Sequence, residues 1–96
     1  MTRPLATSEV LIDDAAVRVT RWDFAPGAET GWHRHGMDYV ITTITPCSML
    51  IEEPGGDSRR AEMNAGIAYR RHVGVEHNVI NAAEAPMSFV ELELKG

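Results

Sequence analysis

His33, His35 and His77 are the residues of this 96-residue chain whose types and spacing could do chemistry. The first two stand two apart within residues 27–39 (GAETGWHRHGMDY), and the third lies within residues 66–81 (GIAYRRHVGVEHNVIN). On a β-strand side chains alternate faces, so His33 and His35 project from one side and Arg34 from the other. Neutral imidazole is the commonest transition-metal ligand, and three of them leave positions open for water or substrate. Such a site can polarise a carbonyl, activate water or, with Fe(II), bind dioxygen beside a chelated substrate. Imidazoles from two strands converge only if the sheet curls round one interior, as in a small barrel with a metal in its mouth. A bare His-x-His matches by chance and can be a surface accident. His77, past a Gly74 turn and at the start of an apolar run, tips the reading to metal binding.

The elements that must position these residues read as short strands joined by turns, with no long segment of helical period. Alternation and β-branched content place strands at residues 8–12, 17–24, 31–35, 39–45, 48–53, 60–63, 67–72, 77–81 and 87–94. Asp13-Asp14, Ala25-Pro26-Gly27, Pro54-Gly55-Gly56-Asp57 and Asn64-Ala65-Gly66 supply turn chemistry, and Pro46 marks a bulge or an edge. The stretch 76–85 would tolerate a helical turn at Asn-Ala-Ala-Glu-Ala, and a loop is the preferred reading of that part. Strands at about ten-residue spacing describe an all-β sandwich or barrel. Residues 1–8, polar and containing Pro4, read as an N-terminal arm to a single domain over 9–96.

Composition narrows the partners. Nine basic against fourteen acidic residues give a net charge of −5. No basic stripe exists to neutralise phosphates, which argues against nucleic acid and against an anionic membrane surface. No apolar run approaches the length of a membrane helix, and the N-terminus has no leader-like core. The single Cys47 cannot form an internal disulfide, which fits a reducing, cytoplasmic setting.

The two histidine-bearing stretches resemble the two cupin motifs. The first, G-x5-H-x-H-x3-E-x6-G, is matched by Gly27, His33 and His35 and departs at Tyr39 and Pro46; the second, G-x5-P-x-G-x2-H-x3-N, is matched by Gly66, Gly74, His77 and Asn81 and departs at His72. The pattern is similar to minimal single-domain cupins, including small ones of amino-acid catabolism, over residues 10–95. The resemblance implies a double-stranded β-helix, or jelly-roll barrel, holding one divalent transition metal (Fe, Ni, Zn or Mn). It also implies a homodimer, which suits a chain this small with open barrel edges. In the family the Glu at the Tyr39 position is a fourth ligand. Its absence makes the site resemble three-histidine cupin dioxygenases.

Three roles are open to Tyr39: phenolate ligand, hydrogen-bond donor to a metal-bound water or substrate, or aromatic packing. Asp38, one residue off in register, would face outward. Arg70 and Arg71 are adjacent on one strand, so in a regular strand one of them faces the interior. There it needs a partner, either a substrate carboxylate or an internal acid such as Glu91 or Glu93; a bulge would put both outside. His72 reads as a rim residue and Asn81 as a group fixing neighbouring backbone. Trp22 suits a pocket or an interface, Trp32 an interface, Met37 and Met49 core filling, and Cys47 a small buried hydrophobe. The residues favour a metal-dependent enzyme on a small, anionic metabolite, with dioxygenase chemistry ahead of isomerase or lyase. The rival is a non-catalytic barrel that binds or senses a small ligand.

Overall fold

Two antiparallel sheets pack face to face and carry the buried core on their facing sides. The structure, a computed structural model, describes residues 2–96; Met1, the first residue of the expected arm, lies outside them. The strands are β1 (Thr7–Asp13), β2 (Val17–Phe24), β3 (His33–Arg34), β4 (Asp38–Thr43), β5 (Cys47–Glu52), β6 (Ser58–Met63), β7 (Ala68–Arg71), β8 (Glu76–Asn81) and β9 (Met87–Leu94), with one short 3-10 turn at Pro54–Gly56. One sheet has the order β1-β2-β9-β4-β7 and the other β3-β8-β5-β6. This is the double-stranded β-helix that the resemblance implies, and it fits the all-β sandwich or barrel that the spacing of strands foretells. Among the described residues no helix is long and apolar enough to cross a membrane.

Alternation makes the core. Phe24, Tyr39, Ile41, Met87 and Phe89 point inward from the first sheet, and Cys47, Met49, Ile51 and Val79 meet them from the second. The Phe24 and Phe89 rings sit 5.3 Å apart in a tilted pair at its centre. Burying one face of each sheet fixes register, because a slip of one residue would turn that whole face to solvent. The β1–β2 turn closes on Asp14, whose carboxylate accepts hydrogen bonds from the backbone N–H groups of Ala16 and Val17 at 2.8 and 2.9 Å.

Four details refine the expectation. In the arm, Leu5 bridges Glu29, the N–H of Ala6 donates to the Glu29 carbonyl at 2.8 Å, and β1 starts at Thr7. Pro46 sits where the chain leaves one sheet for the other. Just before it, the N–H groups of Ile44 and Thr45 both donate to the Ser88 carbonyl, so the bend falls where Pro has no donor to lose. In the stretch 76–85, β8 runs to Asn81 and the residues after it form a loop, as preferred, with no helical turn. The Asn81 side chain then ties the following turn, donating to the Ala85 carbonyl at 2.9 Å and accepting from the Ala83 N–H at 3.0 Å. Finally, the strand expected over 67–72 ends at Arg71, because His72 and Val73 swing out to reach the Gly74 turn.

Candidate metal centre

Strand pairing places the three histidines. His33 on β3 lies directly opposite His77 on β8. The pairing continues past β3, for the His35 N–H donates to the Val75 carbonyl and the Gly74 N–H to the His35 carbonyl, both at 2.8 Å. Gly74 turns the chain at φ 95°, a conformation that disfavours any side chain, and so sets where β8 begins. His33 and His35 therefore share a face, and His77 joins them from the neighbouring strand.

The three Nε2 atoms converge. Those of His33 and His35 are 3.1 Å apart, as are those of His35 and His77, and ligand atoms of all three lie within 4.8 Å of one another. Metal–nitrogen bonds of about 2.0–2.1 Å put adjacent ligand nitrogens about 3.0–3.4 Å apart, so the spacing fits one ion. Proton bookkeeping agrees. His33 Nδ1 lies 2.9 Å from the Gly31 carbonyl, and His35 Nδ1 lies 3.5 Å from Glu91 Oε1. Assigned from those acceptors, both rings carry their proton on Nδ1. Each then presents an Nε2 lone pair to the other across 3.1 Å, an arrangement that a cation between them relieves. The residues fit a metal, and the three-histidine group could bind one.

Electrostatics keep His35 and His77 neutral. Burial, reinforced by the neighbouring His33, depresses His35 to about 4, and burial with the charges of His33 and His35 takes His77 to about 3. Neutral imidazole is the form a metal needs. Glu91 moves the other way: burial, then the charge of Glu93, raises it to about 7. Its second oxygen accepts a hydrogen bond from Trp22 Nε1 at 3.2 Å. Trp22, Glu91 and His35 thus form a chain that aims the His35 ring. His77 Nδ1 is buried with no hydrogen-bond partner.

A cavity of about 240 Å³ adjoins the histidines, with Tyr39, Arg71, Glu91 and Glu93 on its polar side and Ile41, Ile51 and Phe89 on its apolar side. Tyr39 stacks on His35 with ring centroids 3.7 Å apart and planes tilted by 17°. Its hydroxyl is buried without a partner, and burial pushes its pKa above the ordinary phenol range. Stacking on the His35 ring is the contact this geometry shows for Tyr39.

The two arginines part company. Arg70 faces out and donates to Asp38 Oδ2 at 3.2 Å, whereas Arg71, opposite Tyr39 in register, lines the cavity. Among the described residues Arg71 makes no ion pair. His72 is an exposed rim residue 3.8 Å from Asp38, and Trp32 is exposed, away from the ligand side. Asn81 donates to backbone carbonyls, as its position foretells.

Two supporting residues escape the sequence reading. Asn78 is buried on the opposite face of β8 from His77; its Oδ1 accepts from the Gly31 N–H at 3.0 Å and its Nδ2 donates to Glu29 and Glu52 at 2.7 and 2.9 Å. That clamp fixes the approach to His33. Glu91 figures in the sequence only as a partner for arginine. The alternation Met87, Phe89, Glu91 on β9 is the signal that it points inward, although nothing in the order of residues says that His35 waits there.

No family model matches the chain. The beta-alanine degradation protein BauB of Pseudomonas aeruginosa is 56% identical over 93 residues, spanning 97% of this chain and 97% of that one. The crystal structure of a cupin domain from Bordetella pertussis Tohama I is similar at a TM-score of 0.95 and 49% identity, over 100% of this chain and 99% of that one. A conserved protein with a double-stranded beta-helix domain from Klebsiella pneumoniae has a TM-score of 0.79 at 21% identity, over 100% and 82% of the two chains, a likeness of fold alone.

Proposed function

The chain belongs to the cupin family, and on that premise we propose that it is a metal-dependent enzyme acting on a small, carboxylate-bearing metabolite, dioxygenase-like in its chemistry. One observation carries the reading: three converging Nε2 atoms border a cavity into which an unpaired guanidinium, Arg71, faces. A divalent metal held by His33, His35 and His77 would supply open coordination positions and Lewis acidity or dioxygen activation.

The chain's own residues do the rest. Arg71 binds the carboxylate, in the paired geometry that guanidinium and carboxylate favour. Glu91 and Trp22 hold the His35 ring in place. Tyr39 buttresses that ring and keeps one hydroxyl donor free for the substrate. Ile41, Ile51, Val79 and Phe89 wall the cavity and exclude water. At about 240 Å³ the space falls below the roughly 300–1,000 Å³ of drug-sized pockets, which suits a small metabolite. The Pseudomonas aeruginosa relative is named for beta-alanine degradation, which supports a place in amino-acid breakdown. The free, buried Cys47 suits the cytoplasm.

The test is oxygen consumption by the Fe(II)-loaded protein against a panel of small carboxylic acids. Turnover that falls at least about tenfold in kcat/KM on Arg71→Gln, with iron content unchanged, is the expected result. Tight carboxylate binding without turnover under any metal would overturn the enzyme reading in favour of a ligand-binding barrel.

A further inference from the structure

The cavity holds a second unpaired charge of the opposite sign. Arg71 on β7, Tyr39 on β4 and Glu93 on β9 are direct cross-strand partners in one row, and all three line the cavity. Arg71 and Glu93 are two strand spacings apart, about 10 Å between Cα atoms, with Tyr39 between them. Among the described residues neither makes an ion pair or a side-chain hydrogen bond, although seven other arginine or lysine contacts to carboxylates occur in the same molecule. Tyr39 is 1% exposed, yet its hydroxyl has no partner. The other cavity acid, Glu91, has both oxygens committed, one toward Trp22 and one toward His35. Glu93 is therefore the carboxylate left for a ligand.

We infer that the site is built for a ligand bearing both charges, a small amino acid whose carboxylate meets Arg71 and whose ammonium group meets Glu93, with the Tyr39 hydroxyl donating to it between them. This inference rests on the carboxylate reading of Arg71 and adds the amine. A plain carboxylic acid would leave Glu93 unanswered in a half-buried site, and the acid would then repel the ligand's own negative charge. A zwitterion satisfies both ends. It also accounts for one cavity carrying a guanidinium and a carboxylate that avoid pairing with each other across Tyr39.

Calorimetric titration of the zinc-loaded protein with β-alanine, propionate and propylamine tests it. Expected is β-alanine binding at least about tenfold tighter than propionate, with propylamine weakest. Glu93→Gln should erase that preference, weakening β-alanine and relieving the repulsion on propionate, while Arg71→Gln should weaken both acids. Equal affinity for β-alanine and propionate in the wild type would overturn the inference and leave the carboxylate reading standing, and this comparison needs no variant to fold. A preference that survives Glu93→Gln would overturn the assignment to Glu93. Binding of neither acid would overturn both readings.

Discussion

Replacing Glu91 with Gln should weaken metal binding while strengthening the metal-free fold, a combination that few other substitutions would produce. The carboxylate lies 3.5 Å from His35 Nδ1 on one side and accepts from Trp22 on the other. Gln preserves the shape and removes the charge that orients and enriches the His35 ring. Losses of this kind cost about 10–100-fold in metal affinity, or about 1.4–2.7 kcal/mol. Without metal the balance reverses. Glu91 is shifted from 4.5 to about 7, so the folded chain holds a proton that the unfolded chain has released. Its favourable share is complete below pH 4.5 and is lost as pH rises through 7. By linkage that loss amounts to roughly 3 kcal/mol above neutrality, and Gln, having no charge to bury, escapes it. Zinc competition against a chelating dye measures the first effect, and urea unfolding of chelator-treated protein at about pH 8, above the raised Glu91 value, measures the second. Zinc affinity within about twofold of wild type, or a metal-free Glu91→Gln variant less stable than wild type under those alkaline conditions, would refute the placement of Glu91 behind His35.

Other outcomes follow from the same geometry. Between pH 6.5 and 4.5 the unfolded metal-free chain takes up protons on His35 and His77 that the fold refuses, two against the one that folded Glu91 retains. The net of one proton makes stability fall by about 1.4 kcal/mol per pH unit, roughly 3 kcal/mol over that window; a flat urea midpoint would contradict it. Asn78→Ala strands the Gly31 N–H and should cost about 1–3 kcal/mol by urea unfolding while weakening zinc binding; a change in stability alone would limit Asn78 to a structural part. The edge strand β1 exposes Val10, Leu11 and Ile12 at 56%, 50% and 50%, and a homodimer that covers them is expected. Equilibrium sedimentation should find a dimer at micromolar concentration in the wild type and a monomer in Ile12→Lys. A wild-type monomer would sink that expectation.

How far the sequence foretells this site depends on how local each feature is. His33 and His35 are legible because a period of two needs only one strand, and His77 because the Gly74 turn marks where its strand begins. The choice between Arg70 and Arg71 follows from alternation once Tyr39 is known to face inward, since Tyr39 and Arg71 are opposite in the β4–β7 register. Glu91 behind His35 is not legible, for it needs β9 to lie between β2 and β4, pairings set by burial of whole faces rather than by any short motif. Asn78 is hidden for a related reason. It sits beside His77 but faces the other way, and its partners Glu29 and Glu52 are 49 and 26 residues distant in the chain. The short extent of β3 is likewise a matter of what flanks it, because His35 keeps strand-like pairing beyond the regular ladder.

The most direct test of the central claim is the metal content of untagged protein, by elemental analysis, beside a His33→Ala, His77→Ala double variant. The three converging nitrogens call for about one divalent transition metal per chain in the wild type and none in the variant. Wild-type protein that takes up no metal even on anaerobic reconstitution with Fe(II), Zn(II), Ni(II) and Mn(II) would contradict the metal centre and every catalytic role built on it.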